Sequence, residues 1–135
     1  MAALRDYSSG WSRRTGITAA VRAQGERSLS LEVEQTLFRI VQEALSNVAR
    51  HSLANRVEIL VACRANGISL TVDDDGQGFV VDGKHKGLGL RSMHERVGSL
   101  GGTLAIESAP GRGTRLSCIV PVDSSGDAGE EESDG

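Results

Sequence analysis

Between Val57 and Phe79 the chain alternates apolar and polar residues along two short runs, then breaks into an acidic stretch punctuated by glycines. Val57, Ile59, Val61 and Cys63 take every second position of the first run; Ile68, Leu70 and Val72 do so in the second. A period of two marks half-buried strands. Asn66-Gly67 between the runs is a strong two-residue hairpin signal. The return strand runs directly into Asp73-Asp74-Asp75-Gly76-Gln77-Gly78-Phe79. An isolated acidic residue before glycines is more often a turn than a site. A carboxylate at a strand end followed by Gly-x-Gly also suits a flat polar ring with a phosphate chain, so the neighbouring elements must decide.

Upstream, Leu31 to about His51 has helical periodicity. Ser30 is a fair N-cap, and Glu32 and Glu34 fall in the first turn, where the helix dipole favours acids. Val33, Leu37, Ile40, Val41, Ala44 and Val48 share an apolar face. Glu43, Asn47 and His51 follow one another at intervals of four and form a polar stripe along its edge. Polar groups beside a core need partners, unlike those of a freely solvated face. Downstream, Leu90 to Leu100 reads as a second helix with Leu90, Met93, Val97 and Leu100 on one side and Gly101-Gly102 as its stop. Thr103 to Ser108 and Thr114 to Val120 read as strands joined by Ala109-Pro110-Gly111-Arg112-Gly113, and Pro121 ends the last. Ile17 to Val21 is a candidate edge strand. Met1 to Arg14 has no periodicity and is expected to be irregular. The order predicts an α+β fold: a two-layer sandwich with helices on one face of a mostly antiparallel sheet.

The chain has 135 residues, enough for one domain with a core that needs no disulfide or metal. Cys63 and Cys118 match no zinc spacing and read as small core residues. The formal charge of -3 is uneven. Asp123 to Gly135 carries six acidic residues and no basic one, leaving 15 basic against 12 acidic residues in the body. The tail's Ser/Gly/acidic composition predicts disorder. Aromatic residues make up only 3%, which argues against stacked recognition of single-stranded nucleic acid. No apolar run reaches transmembrane length and no signal-peptide pattern opens the chain, so a cytoplasmic place is expected.

Three separated pieces then stand in a specific order. Ile40-Val41-Gln42-Glu43-Ala44-Leu45-Ser46-Asn47-Val48-Ala49-Arg50-His51 resembles the N box of the ATP-binding catalytic domain of bacterial sensor histidine kinases, in the wider family of the gyrase and Hsp90 ATPases. Asp74-Asp75-Gly76-Gln77-Gly78-Phe79 resembles its G1 box, and Gly87-Leu88-Gly89-Leu90 its G2 box. Gly113-Thr114 resembles the family's terminal Gly-Thr. Arg14-Thr15-Gly16-Ile17 and Ser92-Met93-His94-Glu95-Arg96-Val97 are most similar to kinases paired with NarL/LuxR-type response regulators. The resemblance spans roughly Arg14 to Pro121. It implies residues 1–13 as a leader, 14–122 as a catalytic domain of the Bergerat ATP-binding fold, and 123–135 as a tail.

The resemblance implies ATP and Mg2+ as ligands. Asp74 would accept from the adenine amine, with Thr114 beside it sharing a bridging water. Gly76 and Gly78 would let the backbone approach the nucleotide. Asn47 would coordinate magnesium, and Glu43 would order a magnesium-bound water or act as a base. His51 is evenly a phosphate contact or a helix-end histidine bonded to backbone. Gly87, Leu88, Gly89 and Leu90 would form a lid hinge whose N–H groups meet phosphates. Lys84, Lys86 and Arg91 are further candidates, in a loop as readily solvated. His94-Glu95 is not expected to be a phosphoacceptor, because that histidine belongs to a separate dimerising helix. The chain then reads as an excised domain or a short reading frame that binds ATP without phosphorylating itself. Its partners would be a histidine-bearing dimerisation domain and, indirectly, a response regulator. An anti-sigma-factor-type serine kinase and a nucleotide-dependent binding module without transfer are the alternatives.

Overall fold

The two alternating runs form β2 (Arg56–Arg64) and β3 (Gly67–Asp74), paired antiparallel with Arg64 opposite Gly67. The turn between them is therefore Ala65-Asn66, one residue earlier than Asn66-Gly67, and Gly67 opens the strand. The reason is steric: a Cβ on Gly67 would stand 2.8 Å from the Val120 carbonyl oxygen, so this glycine serves close strand approach. The structure is a computed structural model describing residues 2–25, 28–78 and 89–121. The acidic tail and residues 79–88, with Lys84, Lys86, Gly87 and Leu88, lie outside the described residues.

The remaining strands are β1 (Thr18–Gln24), β4 (Thr103–Ser108) and β5 (Thr114–Pro121), and the sheet order is β1-β2-β3-β5-β4. β1 pairs with β2 in parallel; every other pair is antiparallel. The parallel pair requires a crossover, which α2 (Leu31–Asn47) supplies. Ser30 caps it as expected, its hydroxyl accepting from the Val33 N–H at 3.2 Å. Leu37, Ile40, Val41, Ala44 and Leu45 of α2 are buried over Val57, Ile59, Val61, Ile68, Leu70 and Val72 of the sheet. Each fully buried aliphatic side chain contributes roughly 1.5–3 kcal/mol to this layer. α3 (Leu90–Gly98) adds Met93 and Val97. Burial pushes the Cys118 thiol up to about 11, in keeping with an inert core residue.

Two segments differ from the sequence expectation. Residues 2–15, expected to be irregular, form the helix α1 (Ala2–Thr15). It buries Leu4, Ser8 and Trp11, three positions on one helical face. Arg5 Nη1 donates to the Val21 carbonyl at 2.9 Å, and Tyr7 meets Phe38 edge-on with ring centres 5.5 Å apart. With so few large apolar residues the stripe was illegible; the partners it needs are distant in sequence. The second difference is the end of the long helix, which widens from Val48 to Ser52 into one π turn closed by Leu53 in the left-handed region at φ 56°. Leu53 is exposed. A branched-chain residue there is strained by about 1–2 kcal/mol. Leu53→Asn, which tolerates this conformation, is expected to raise unfolding stability by about 1 kcal/mol in urea titrations; a loss of stability would mean that Leu53 has a packing role.

Candidate functional site

The alternation that buries Ile68, Leu70 and Val72 continues to Asp74, which therefore points into the layer between the sheet and α2. Thr114, Leu116, Cys118 and Val120 share the corresponding face of β5, and Thr114 is the direct partner of Asp74 across the strands. The polar end of two apolar rows thus meets at one edge of the core. There, a cavity of about 530 Å³, counting its open mouth, is lined by Asn47, His51, Asp74, Gly78, Leu90 and Thr114. Ala44, Val48, Val72, Ile106 and Leu116 form its apolar wall. An apolar slot with a few converging polar groups is the usual form of a small-molecule site.

The three consecutive aspartates are separated by strand geometry. Asp73 faces the other side of the sheet and forms an ion pair with Arg115 at 2.8 Å. Asp75 has left the strand; its Oδ1 accepts from the N–H groups of Asn55 at 2.9 Å and Arg56 at 3.0 Å. Those bonds hold its carboxyl below the usual carboxylate range. Only Asp74 is buried. Burial pushes its carboxyl up, the bond from the Gly76 N–H at 2.8 Å opposes this, and the charges of Asp73 and Asp75 push it further. The Thr114 backbone N–H opposes the rise more weakly.

The loops around Asp74 are tied to one another. Gly78 lies at φ 68°, and a Cβ there would collide with the carbonyl of Ala109 and stand 2.9 Å from that of Gly113. Its missing side chain is thus required by the β4–β5 turn of the protein itself, besides any ligand. The Gln77 carbonyl accepts from Gly111 N–H at 2.6 Å, and Gln77 Nε2 donates to the His51 carbonyl at 2.6 Å. His51 therefore lines the cavity and gives a backbone oxygen to the loop. Ser108, which the sequence marks only as a strand end, donates to the Gly113 carbonyl at 2.9 Å and lies 2.9 Å from the Thr114 hydroxyl. Its signal was the pairing of Ser108 with Thr114 across the turn, which only the register reveals.

Glu43 does not line this cavity. Its carboxylate packs on Gly89, the N-cap of α3 at φ 70°, where a Cβ would stand 2.6 Å from the carboxylate. Glu43 instead lines a second cavity with Arg39, Gln42, Ser92, Met93 and Arg96. The Glu43–Asn47–His51 stripe is therefore real, but its members divide between two neighbouring cavities. Arg91 is exposed and lies 3.4 Å from Glu95. His94 is exposed on α3, away from both cavities.

The nucleotide and ion expected from the sequence can be tested against these groups. A buried carboxylate facing an apolar slot fits a ring that offers an N–H donor. No cluster of three or more His, Cys, Asp or Glu groups among the described residues could hold a metal unaided. That is compatible with magnesium, which binds through one or two protein oxygens together with phosphates and water.

A model of the family described as histidine kinase-, DNA gyrase B-, and HSP90-like ATPase matches residues 32–124. The chain belongs to this ATPase family. It is 43% identical over 98 residues to the sensor histidine kinase LiaS of Bacillus subtilis, covering 72% of this chain and 27% of that protein. It is 40% identical over 91 residues to the sensor protein VraS of Staphylococcus aureus, covering 67% of this chain and 26% of that protein. The chain thus spans about a quarter of the length of these relatives. The histidine kinase domain of the Erythrobacter litoralis EL346 blue-light activated histidine kinase superposes with a TM-score of 0.77 at 24% identity, covering 91% of this chain and 61% of that one. The Acinetobacter baumannii histidine kinase AdeS gives 0.70 at 16% identity, covering 90% and 62%. The α+β fold with a five-stranded mixed sheet is therefore that of the family's ATPase domain. Among the described residues of this ATPase-family chain, no helix is long and apolar enough to cross a membrane.

Proposed function

We infer that this chain is the ATP-binding catalytic domain of a sensor histidine kinase and serves a histidine on a separate dimerisation domain. The observation that carries the reading is Asp74, the single buried carboxylate among the described residues, at the end of an apolar slot and paired with Thr114. Asp74 selects adenine by accepting from its exocyclic amine; a base with a carbonyl there would confront the carboxylate with a second acceptor. Thr114, its hydroxyl beside Ser108, shares a bridging water with the ring. Val72, Ile106 and Leu116 exclude bulk water from the slot.

Bound ATP-Mg supplies the γ-phosphoryl group together with neutralising charge for its transfer. Asn47 would hold the ion through its amide oxygen, and Glu43, one turn earlier, would orient a water or take a proton beside it. Gly89 keeps Glu43 beside the start of α3. Gly87, Leu88 and Leu90 complete the lid hinge with Gly89. His51 contributes to the slot wall, and Gly76 holds Asp74 through its N–H. The partners are the histidine-bearing domain and, through it, a NarL/LuxR-type response regulator, at the cytoplasmic side of a membrane-bound sensor. The unit is residues 14–122, whose start overlaps the end of α1, with 123–135 as a tail.

The sensor kinase names of the relatives favour histidine over serine as acceptor. The chain mixed with a histidine-bearing dimerisation domain and radiolabelled ATP should label that domain with an acid-labile, base-stable phosphate. An acid-stable label would assign a serine acceptor, and no ATP binding by the chain would remove the reading altogether.

A further inference from the structure

The polar stripe on α2 does not stop at Glu43. One turn earlier stands Arg39, in step with Glu43, Asn47 and His51 at intervals of four. Arg39 and Gln42 face Ser92, Met93 and Arg96 of α3 across the second cavity. Successive stretches of the same two helices line both cavities: Asn47 and Leu90 belong to the first, Glu43 and Ser92 to the second. No ion pair among the described residues uses the guanidinium of Arg39 or of Arg96. Two cations from different helices are thus brought to one polar cavity in which, among the described residues, Glu43 is the only acid lining it.

We propose that Arg39 and Arg96 form an anion subsite beyond Glu43 that holds the terminal phosphate of the bound nucleotide. The proposal rests on the nucleotide reading above, with the base seated at Asp74. From Asn47 to Arg39 is two helical turns, about 12 Å along the axis. A triphosphate laid along α2 from the base slot runs in this direction. Guanidinium groups bind phosphate through paired N–H donors and retain their charge at any working pH. Gln42 and Ser92 add neutral donors. The close packing of Glu43 on Gly89 keeps the carboxylate at the boundary of the two cavities.

The experiment is calorimetric titration of the chain with a non-hydrolysable ATP analogue and, separately, with ADP, both with magnesium. In Arg39→Ala/Arg96→Ala the analogue is expected to bind about ten-fold or more weaker while ADP stays within about two-fold of wild type, the loss of charged hydrogen bonds to one phosphate. Arg39→Lys/Arg96→Lys keeps the charge without the fork and should recover part of the loss. Unchanged affinity for the analogue, or an equal loss for both nucleotides, overturns the subsite. Unchanged affinity with slower transfer to the acceptor domain would assign the arginines to that domain and overturn it equally. Failure of the wild-type chain to bind either nucleotide would instead refute the nucleotide reading. Matching thermal melts of the variants keep a folding defect from imitating the result.

Discussion

Asp74→Asn should lose about 10- to 100-fold in affinity for ATP while leaving the nucleotide-free domain at least as stable as wild type. The two halves have one cause. Asp74 is buried, and burial lifts its carboxyl above the ordinary carboxylate range. Its pKa is therefore higher in the native state than in the unfolded chain, and the native state holds the proton more tightly. Between the two values stability falls as pH rises; above both, the buried charge is a standing cost. Asparagine removes that cost and keeps an oxygen for the Gly76 N–H. It also replaces a charged acceptor by a neutral one, worth about 1.5–3 kcal/mol in a hydrogen bond to the ligand. Wild-type affinity should decline on acidification from a higher pH than an ordinary carboxylate would give, and the variant should show no such step. Calorimetric titration across pH and thermal melts without nucleotide measure both halves. A variant that binds as tightly as wild type would separate Asp74 from the ligand.

Gly78→Ala should cost about 2–4 kcal/mol of unfolding stability, the sum of a left-handed residue acquiring a side chain and overpacking against a fixed neighbour. The neighbours here are the Ala109 and Gly113 carbonyls, which belong to the main chain and cannot turn aside. The turn carrying them is anchored by Gly111 N–H to the Gln77 carbonyl and by Ser108 to Gly113. Relief by displacement would therefore move Thr114, the partner of Asp74, and weaken nucleotide binding as well. Urea unfolding followed by circular dichroism gives the cost directly. A variant as stable as wild type would show that the seam between the two loops is open in solution.

Strands were legible where one face is buried. In β2 and β3 the period of two predicted which residues face α2; Asp74 was distinguished from Asp73 by the motif, and the strand alternation accounts for why it is the buried one. The core of α2 was legible because Leu37, Ile40, Val41 and Ala44 recur at helical spacing. Its final turn was not, since a π turn leaves no mark in the apolar pattern and the left-handed Leu53 carries none of the usual Gly or Asn signal. α1 was missed because its burial depends on β1 and Phe38, partners that no local window contains.

The sequence by itself determined the order of elements from β1 onward, the family, and the three groups Asn47, Asp74 and Thr114 that converge on one cavity. These follow from local periodicity and from motif order, both of which are properties of neighbours along the chain. Tertiary structure alone decided that Glu43 turns away from that cavity to pack on Gly89 and that Arg39 and Arg96 line one cavity. It also decided that Gly78 answers to the β4–β5 turn and that Ser108 holds the Thr114 hydroxyl. Each of these depends on distances between segments far apart in sequence, set by how α2, α3 and the sheet pack, and no local pattern encodes such a distance.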